Sequence, residues 1–176
     1  NNIVYFNAME LNPKLKIVIP RNLKHVYAKS LVFLSDTLYF SNNKQLNKVI
    51  RFKEEAYHTS FAPSDQQRIF AIALNGNQIY ISTLKTVYKL EQDTLIPVES
   101  FVNTPFRKFR FFQGVLVGIT HDYQLIVGFP TLNENQFRIQ TILEDCSWMD
   151  MNYIFHSNVL LRSDKGYYIL NISKDT

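Results

Sequence analysis

A single cysteine, Cys146, leaves this chain of 176 residues without an internal disulfide framework. A lone thiol points to a reducing, intracellular compartment, cytoplasmic or nuclear. No run reaches the roughly 18 apolar residues of a membrane helix, so no membrane insertion is expected. The opening Asn1-Asn2-Ile3 lacks the basic and apolar regions of a signal peptide. It also lacks an initiator Met, so the chain is expected to be processed or partial. Only five glycines occur, and none builds a Gly-rich phosphate loop. The nearest candidate, Asn75-Gly76-Asn77, reads as a hairpin turn, because Asn-Gly tolerates positive φ at both positions.

What is abundant is apolar and aromatic. Hydrophobic residues make up 46% of the chain and charged residues 19%, which excludes disorder. The 14 Phe and 10 Tyr favour pleated, half-buried surfaces and therefore strands. No amphipathic helix longer than about three turns stands out.

The organising signal is a repeat of an apolar strand, a polar turn and a second strand carrying an aromatic. It occurs at Leu31–Leu34 with Thr37–Asn42, at 78–83 with 86–90, at Val115–Thr120 with 124–128, and at 158–162 with 167–171. A lone second strand at 3–7 opens the chain. Anchored on the second strands, the spacing is uneven but averages about 40 residues, the length of a propeller blade. Asp36, Asp122 and Asp164 suit the turns, because their carboxylates hydrogen-bond the local backbone. Strands that alternate or run wholly apolar are expected where neighbouring blades cover both faces. Residues 69–74 extend the second unit into a three-stranded meander. Residues 44–67 are polar, contain Pro63 and read as a long loop with at most one added strand. Residues 136–143 and 106–112 read as strands, the latter with Phe109 and Phe111 on one face. No linker divides the chain, so residues 1–176 are read as one domain. The predicted fold class is all-β, an antiparallel β-propeller-like array of about four blades.

Chemistry-bearing residues are sparse. His25, His58, His121 and His156 have no metal-ligand spacing, and one Cys cannot anchor a Cys-x-x-Cys site. His121-Asp122 has no accompanying nucleophile motif and reads as a turn. Glu144 and Asp145 beside Cys146 would raise a thiol's pKa, so an inert cysteine is expected. Glu144, Asp145 and Asp150 lack a visible acid–base pocket and read as a solvated loop. Asn171-Ile172-Ser173 matches a glycosylation sequon, a triplet common by chance. No catalytic residue, cofactor, metal or small-molecule substrate is inferred.

The net charge of +4 is mildly basic and compatible with an acidic surface as partner. Two segments concentrate it. Arg107, Lys108 and Arg110 interleave with Phe109, the mixture of cations for phosphates and aromatics for unpaired bases used by nucleic-acid sites. On a strand, Lys108 and Arg110 share one face, while Phe109 takes the other with Arg107. Lys44, Lys48, Arg51 and Lys53 form a second basic stretch on the expected loop. The bland alternative for both is a charged strand face turned to water.

The repeat resembles that of the regulator-of-chromosome-condensation family. The best match is 116–128, with Thr120-His121-Asp122 at its turn and Gly128 at its end. The next is 159–170, turning at Ser163-Asp164-Lys165-Gly166. Ile3 to Asn7 with Glu10-Leu11-Asn12 looks like that family's strand end and following loop, and Ile96-Pro97-Val98 like its lead-in. The chain departs from the family in its few glycines and in having Trp148 as its only Trp. Asn7, Asn42 and Asn171 stand where Gly is expected, and Asn is the next best residue for a left-handed backbone. WD-repeat and other propellers give similar strand patterns. The resemblance implies a seven-bladed propeller, of which about four blades are present, and unpaired edges that a partner must cover.

Three functions follow as expectations. The first is a noncatalytic protein-interaction module or scaffold component of a larger intracellular assembly. The second is an RNA- or chromatin-associated propeller that binds nucleic acid or ribonucleoprotein through the basic segments. The third, by analogy with one branch of the family, is a guanine-nucleotide exchange factor for a small GTPase.

Overall fold

A computed structural model describes residues 2–6, 13–18, 30–52, 55–133, 136–155 and 158–172. All strand pairing is antiparallel, and each sheet is a meander in which successive strands are neighbours. Sheet 1 pairs β1 (Asn2–Phe6) with β2 (Pro13–Val18). Sheet 2 holds β3 (Leu31–Leu34), β4 (Thr37–Asn42), β5 (Gln45–Phe52) and β6 (Glu55–Phe61). Sheet 3 holds β7 (Ala71–Asn75), β8 (Gln78–Ser82), β9 (Val87–Glu91) and β10 (Thr94–Pro97). A 3-10 turn at Glu99–Phe101 leads into sheet 4, made of β11 (Phe106–Phe112), β12 (Val115–Thr120), β13 (Leu125–Pro130) and β14 (Phe137–Leu143). Sheet 5 holds β15 (Met149–Phe155), β16 (Asn158–Ser163) and β17 (Gly166–Asn171). No strand pairing closes the row of sheets into a ring among the described residues.

The expected hairpins are present, but the first is out of phase. Leu31–Leu34 and Thr37–Asn42 are the first and second strands of sheet 2, whereas the other three hairpins join second and third strands. Segment 44–67 is correspondingly not a loop. It carries both β5 and β6, which polar residues such as Gln45, Asn47 and Lys48 conceal in the sequence. Rephased, the third strands of sheets 2 to 5 begin at Gln45, Val87, Leu125 and Gly166, intervals of 42, 38 and 41 residues. The lone opening strand gains a partner in β2. The stretch 7–12, read as a strand end and loop, lies outside the described residues, as do His25, His156 and Ser173.

Apolar strands arise because both faces are covered, as anticipated. In β8, Ile79 and Ile81 join the core shared with sheet 2, built with Leu46, Phe61 and Ile72. Tyr80 between them turns to the core shared with sheet 4, with Phe101, Phe106 and Leu116. In β12, Leu116 faces that same core, while Val115, Val117 and Ile119 face sheet 5 with Met151, Val159 and Leu161. Alternate residues of one strand thus serve two cores, which makes each inner sheet a wall between its neighbours.

A second regularity lies in buried hydroxyls at the ends of the second strands: Ser41, Ser82, Thr83, Thr120 and Ser163. Those of Thr83, Thr120 and Ser163 organise the turns that follow, whereas Ser41 Oγ has no hydrogen-bond partner among the described residues. Thr83 Oγ1 accepts from the backbone N–H of Lys85 and Thr86 and donates to Asp65 at 2.7 Å. Thr120 Oγ1 accepts from Gln124 N–H and donates to Asp122. Ser163 Oγ accepts from Lys165 N–H. Ser82 Oγ accepts from Phe106 N–H at 2.9 Å and so ties sheet 3 to sheet 4. Asn42 and Asn171 end strands without positive φ; the left-handed residue of the first such turn is Asn43, at φ 51°.

Candidate functional site

First strands of four sheets converge on one cleft of about 880 Å³. Its walls include Leu31 and Val32 of β3, Ala71 to Leu74 of β7, residues 107–111 of β11, and Met149 and Asp150 of β15. Phe70, Tyr123 and Trp148 complete the wall from adjoining loops. The cleft therefore carries Arg107, Lys108 and Arg110 against one carboxylate, Asp150.

Local geometry in β11 explains how the cations reach it. The register with β12 shifts between Phe106 and Lys108, leaving Arg107 as the extra residue of a bulge. Phe106 and Phe109, three apart, consequently both enter the core, with ring centres 5.8 Å apart. Arg107 does not share Phe109's face as simple alternation requires. It is exposed, and its guanidinium lies 4.6 Å from the Tyr123 ring centre. Lys108 Nζ reaches sheet 5, donating to Asp150 Oδ1 at 2.6 Å and to the Met151 carbonyl at 2.7 Å. Arg110 is exposed, with no ion pair among the described residues.

Asp150 corrects its reading as part of a solvated loop: it belongs to β15 and is committed to Lys108. Burial pushes its carboxyl upward. Lys108's hydrogen bond and charge, the Met151 N–H and the charge of Arg162 outweigh that and hold it below the ordinary carboxylate range. Behind the wall residue Phe70, His121 packs edge-on to its ring, with ring centres 4.3 Å apart. Burial, and then Arg107, push its pKa down against the opposing charge of Asp122, whose carboxylate accepts from Thr120 Oγ1. Cys146 is buried, with its thiol toward the Glu144 carbonyl at 3.8 Å.

The second basic stretch lies elsewhere. Lys44 is exposed in the β4–β5 turn. Lys48, on β5, pairs with Asp93 of the β9–β10 turn at 2.8 Å, a bond that raises its pKa against the opposing effect of burial. Arg51 is on β5, its side chain outside the described residues, and Lys53 lies outside them altogether. Lys44 and Lys48 do not line the cleft, because β5 is the third strand of its sheet. Among the described residues the two basic segments are thus not brought together.

Trp148 and Tyr123 are cleft residues that the motif search did not pick out as site residues, and Asp150 is one that it set aside as part of a loop. The available signal was phase: once the repeat is aligned on its third strands, the first strands become identifiable as the converging ones.

No family model matches this chain, and no curated protein matches it in sequence. Among solved structures, that of Kluyveromyces lactis Hsv2 is similar with a TM-score of 0.55 at 10% identity. The match covers 98% of this chain and 66% of that one, so the chain spans about two-thirds of the relative's length. At such identity the likeness is one of fold, and it fits the row of antiparallel meanders to a β-propeller.

Proposed function

We propose that the protein is a noncatalytic interaction module of a larger assembly that receives an acidic partner in the cleft between its first strands. The observation that carries this reading is the cleft's charge: three cations against one carboxylate, with that carboxylate already held by Lys108. Arg107 and Arg110 remain for a partner. The sheets themselves add support for assembly. In sheets 3 and 4 the third strands begin on buried Val87 and Leu125, whereas β17 exposes 73% of Tyr167 and 69% of Ile169. An open apolar strand face of that kind is a contact surface.

The test is affinity capture from native lysate by wild type and by the Arg107→Ala/Arg110→Ala double variant, with and without ribonuclease, read by mass spectrometry. Partners held by wild type and lost by the variant are the expected result. Identical sets from both proteins would remove the cleft as the recognition site. The RNA-associated reading is favoured by one specific feature, the arginine–aromatic stacks on the cleft wall.

A further inference from the structure

Three guanidinium–aromatic pairs reach the cleft: Arg68 over Phe70 at 5.4 Å ahead of β7, and two more on neighbouring sheets. Arg107 lies over Tyr123 at 4.6 Å in sheet 4, and Arg162 lies over Trp148 at 5.2 Å in sheet 5. Tyr123 and Trp148 both line the cleft, and Trp148 is 38% exposed. Neither Arg107 nor Arg162 has an ion pair among the described residues. The nearby carboxylate, Asp150, feels the charge of Arg162 but accepts its hydrogen bond from Lys108.

From this arrangement we infer that the cleft binds single-stranded nucleic acid, its phosphates on Arg107, Arg110 and Arg162 and its bases against Trp148 and Tyr123. The inference rests on the reading of the cleft as a recognition site for an acidic partner. A guanidinium stacked on a ring has its plane fixed while its N–H edge stays free, the geometry that grips a phosphate bidentately. Lys in the same place would be an unoriented point charge. An acidic peptide would use those edges and leave the exposed indole idle. A nucleotide uses both, because every base has a π-face that stacks on aromatics or on arginine planes. Duplex nucleic acid hides those faces within its own stack, so the chemistry selects an unpaired strand.

The probes are a short fluorescein-labelled oligouridylate, an oligothymidylate and an RNA duplex of the same length, and a labelled oligoglutamate, followed by fluorescence anisotropy across a salt series. Either single strand is expected to bind more tightly than the duplex or the oligoglutamate, with affinity falling as salt rises. The preferred sugar then identifies RNA or DNA as the source. Trp148→Ala and Arg107→Ala each lower affinity by about tenfold or more. Trp148→Phe, which keeps a π-face, retains most of it. Arg138→Ala removes the fourth such pair, over Phe129 at 5.3 Å on the outer strands, and leaves affinity unchanged. Equal binding of duplex, equal binding of oligoglutamate, or an equal loss in Arg138→Ala overturns the inference. If no oligonucleotide binds while cleft-dependent capture of proteins persists, this inference fails and the broader reading of the module stands.

Discussion

Gly118 provides a sharp test of how sheets 3 and 4 are joined. It sits on β12 opposite Phe109, and a Cβ built there would lie 2.3 Å from Phe106 Cδ1 and 2.4 Å from Cε1. Carbon atoms pack at about 3.5–4.0 Å, so Phe106 must retreat by more than about 1 Å. It has nowhere to go: it is fully buried, with the Phe101 and Phe109 rings 5.6 and 5.8 Å away. Overpacking of this kind costs about 1–3 kcal/mol, and about 1 kcal/mol shifts Tm by about 2–4 °C in a chain of this size. Gly118→Ala is therefore expected to lower Tm by about 2–12 °C. The cause is isolated by a double-mutant cycle with Phe106→Leu in urea denaturation. In the Phe106→Leu background the added methyl enters space that the ring vacated, so the cost shrinks or changes sign, a coupling of about 0.5–3 kcal/mol. Equal cost in both backgrounds would refute the contact as the cause. Gly128→Ala should cost less, because it meets the far end of a ring, Phe101 Cζ, at 2.9 Å.

Two further outcomes follow from the hydrogen-bonding and charge described above. Thr83→Val removes the hydroxyl that serves Lys85 N–H, Thr86 N–H and Asp65, and should cost about 1–3 kcal/mol by thermal denaturation, whereas Thr83→Ser keeps most of the stability. Asp150 is half-exposed, so its pair with Lys108 is worth about 0.2–1 kcal/mol, and Asp150→Asn should lower Tm slightly at neutral pH. Because the folded-state pKa of Asp150 is depressed, its contribution is present above the ordinary carboxylate range and is lost as pH falls through the lowered value. The gap between the two melting curves should accordingly close in acid; a gap that persists at low pH would point to packing instead.

The strands were legible wherever apolar residues ran together, because burial on two faces leaves no polar position to interrupt the run. Residues 115–120 and 78–82 illustrate this: every one of them is buried except Gln78, and each strand feeds two cores. The same rule concealed β5. Its Asn47 is buried yet polar, with its side-chain amide donating to the Phe40 carbonyl at 3.4 Å, and Lys48 lies over the edge of the core to reach Asp93. A hydrophobic pattern cannot register a strand whose inward positions are satisfied by hydrogen bonds. The buried hydroxyls do register it. Ser41, Thr83, Thr120 and Ser163 each close a second strand, and they recur with the period of the sheets even where the apolar pattern drifts.

The site was legible in composition and illegible in geometry for the same reason. Arg107, Lys108 and Arg110 announce a cationic strand, but simple alternation assigns Arg107 to the buried face. One extra residue in the register changes that, sending Arg107 to Tyr123 and letting Phe106 join Phe109 in the core. Its partners on the cleft wall come from distant parts of the chain: Tyr123 from the β12–β13 turn and Trp148 from the approach to β15, the latter backed by Arg162 of β16. No local spacing joins them. What joins them is the meander itself, which brings first strands separated by some 40 residues side by side. Cations on the first strand β11 therefore meet an aromatic of their own sheet, Tyr123, and a carboxylate of the next, Asp150. The cleft's chemistry is a consequence of the repeat's phase, and a motif search confined to neighbours in sequence has no means of seeing it.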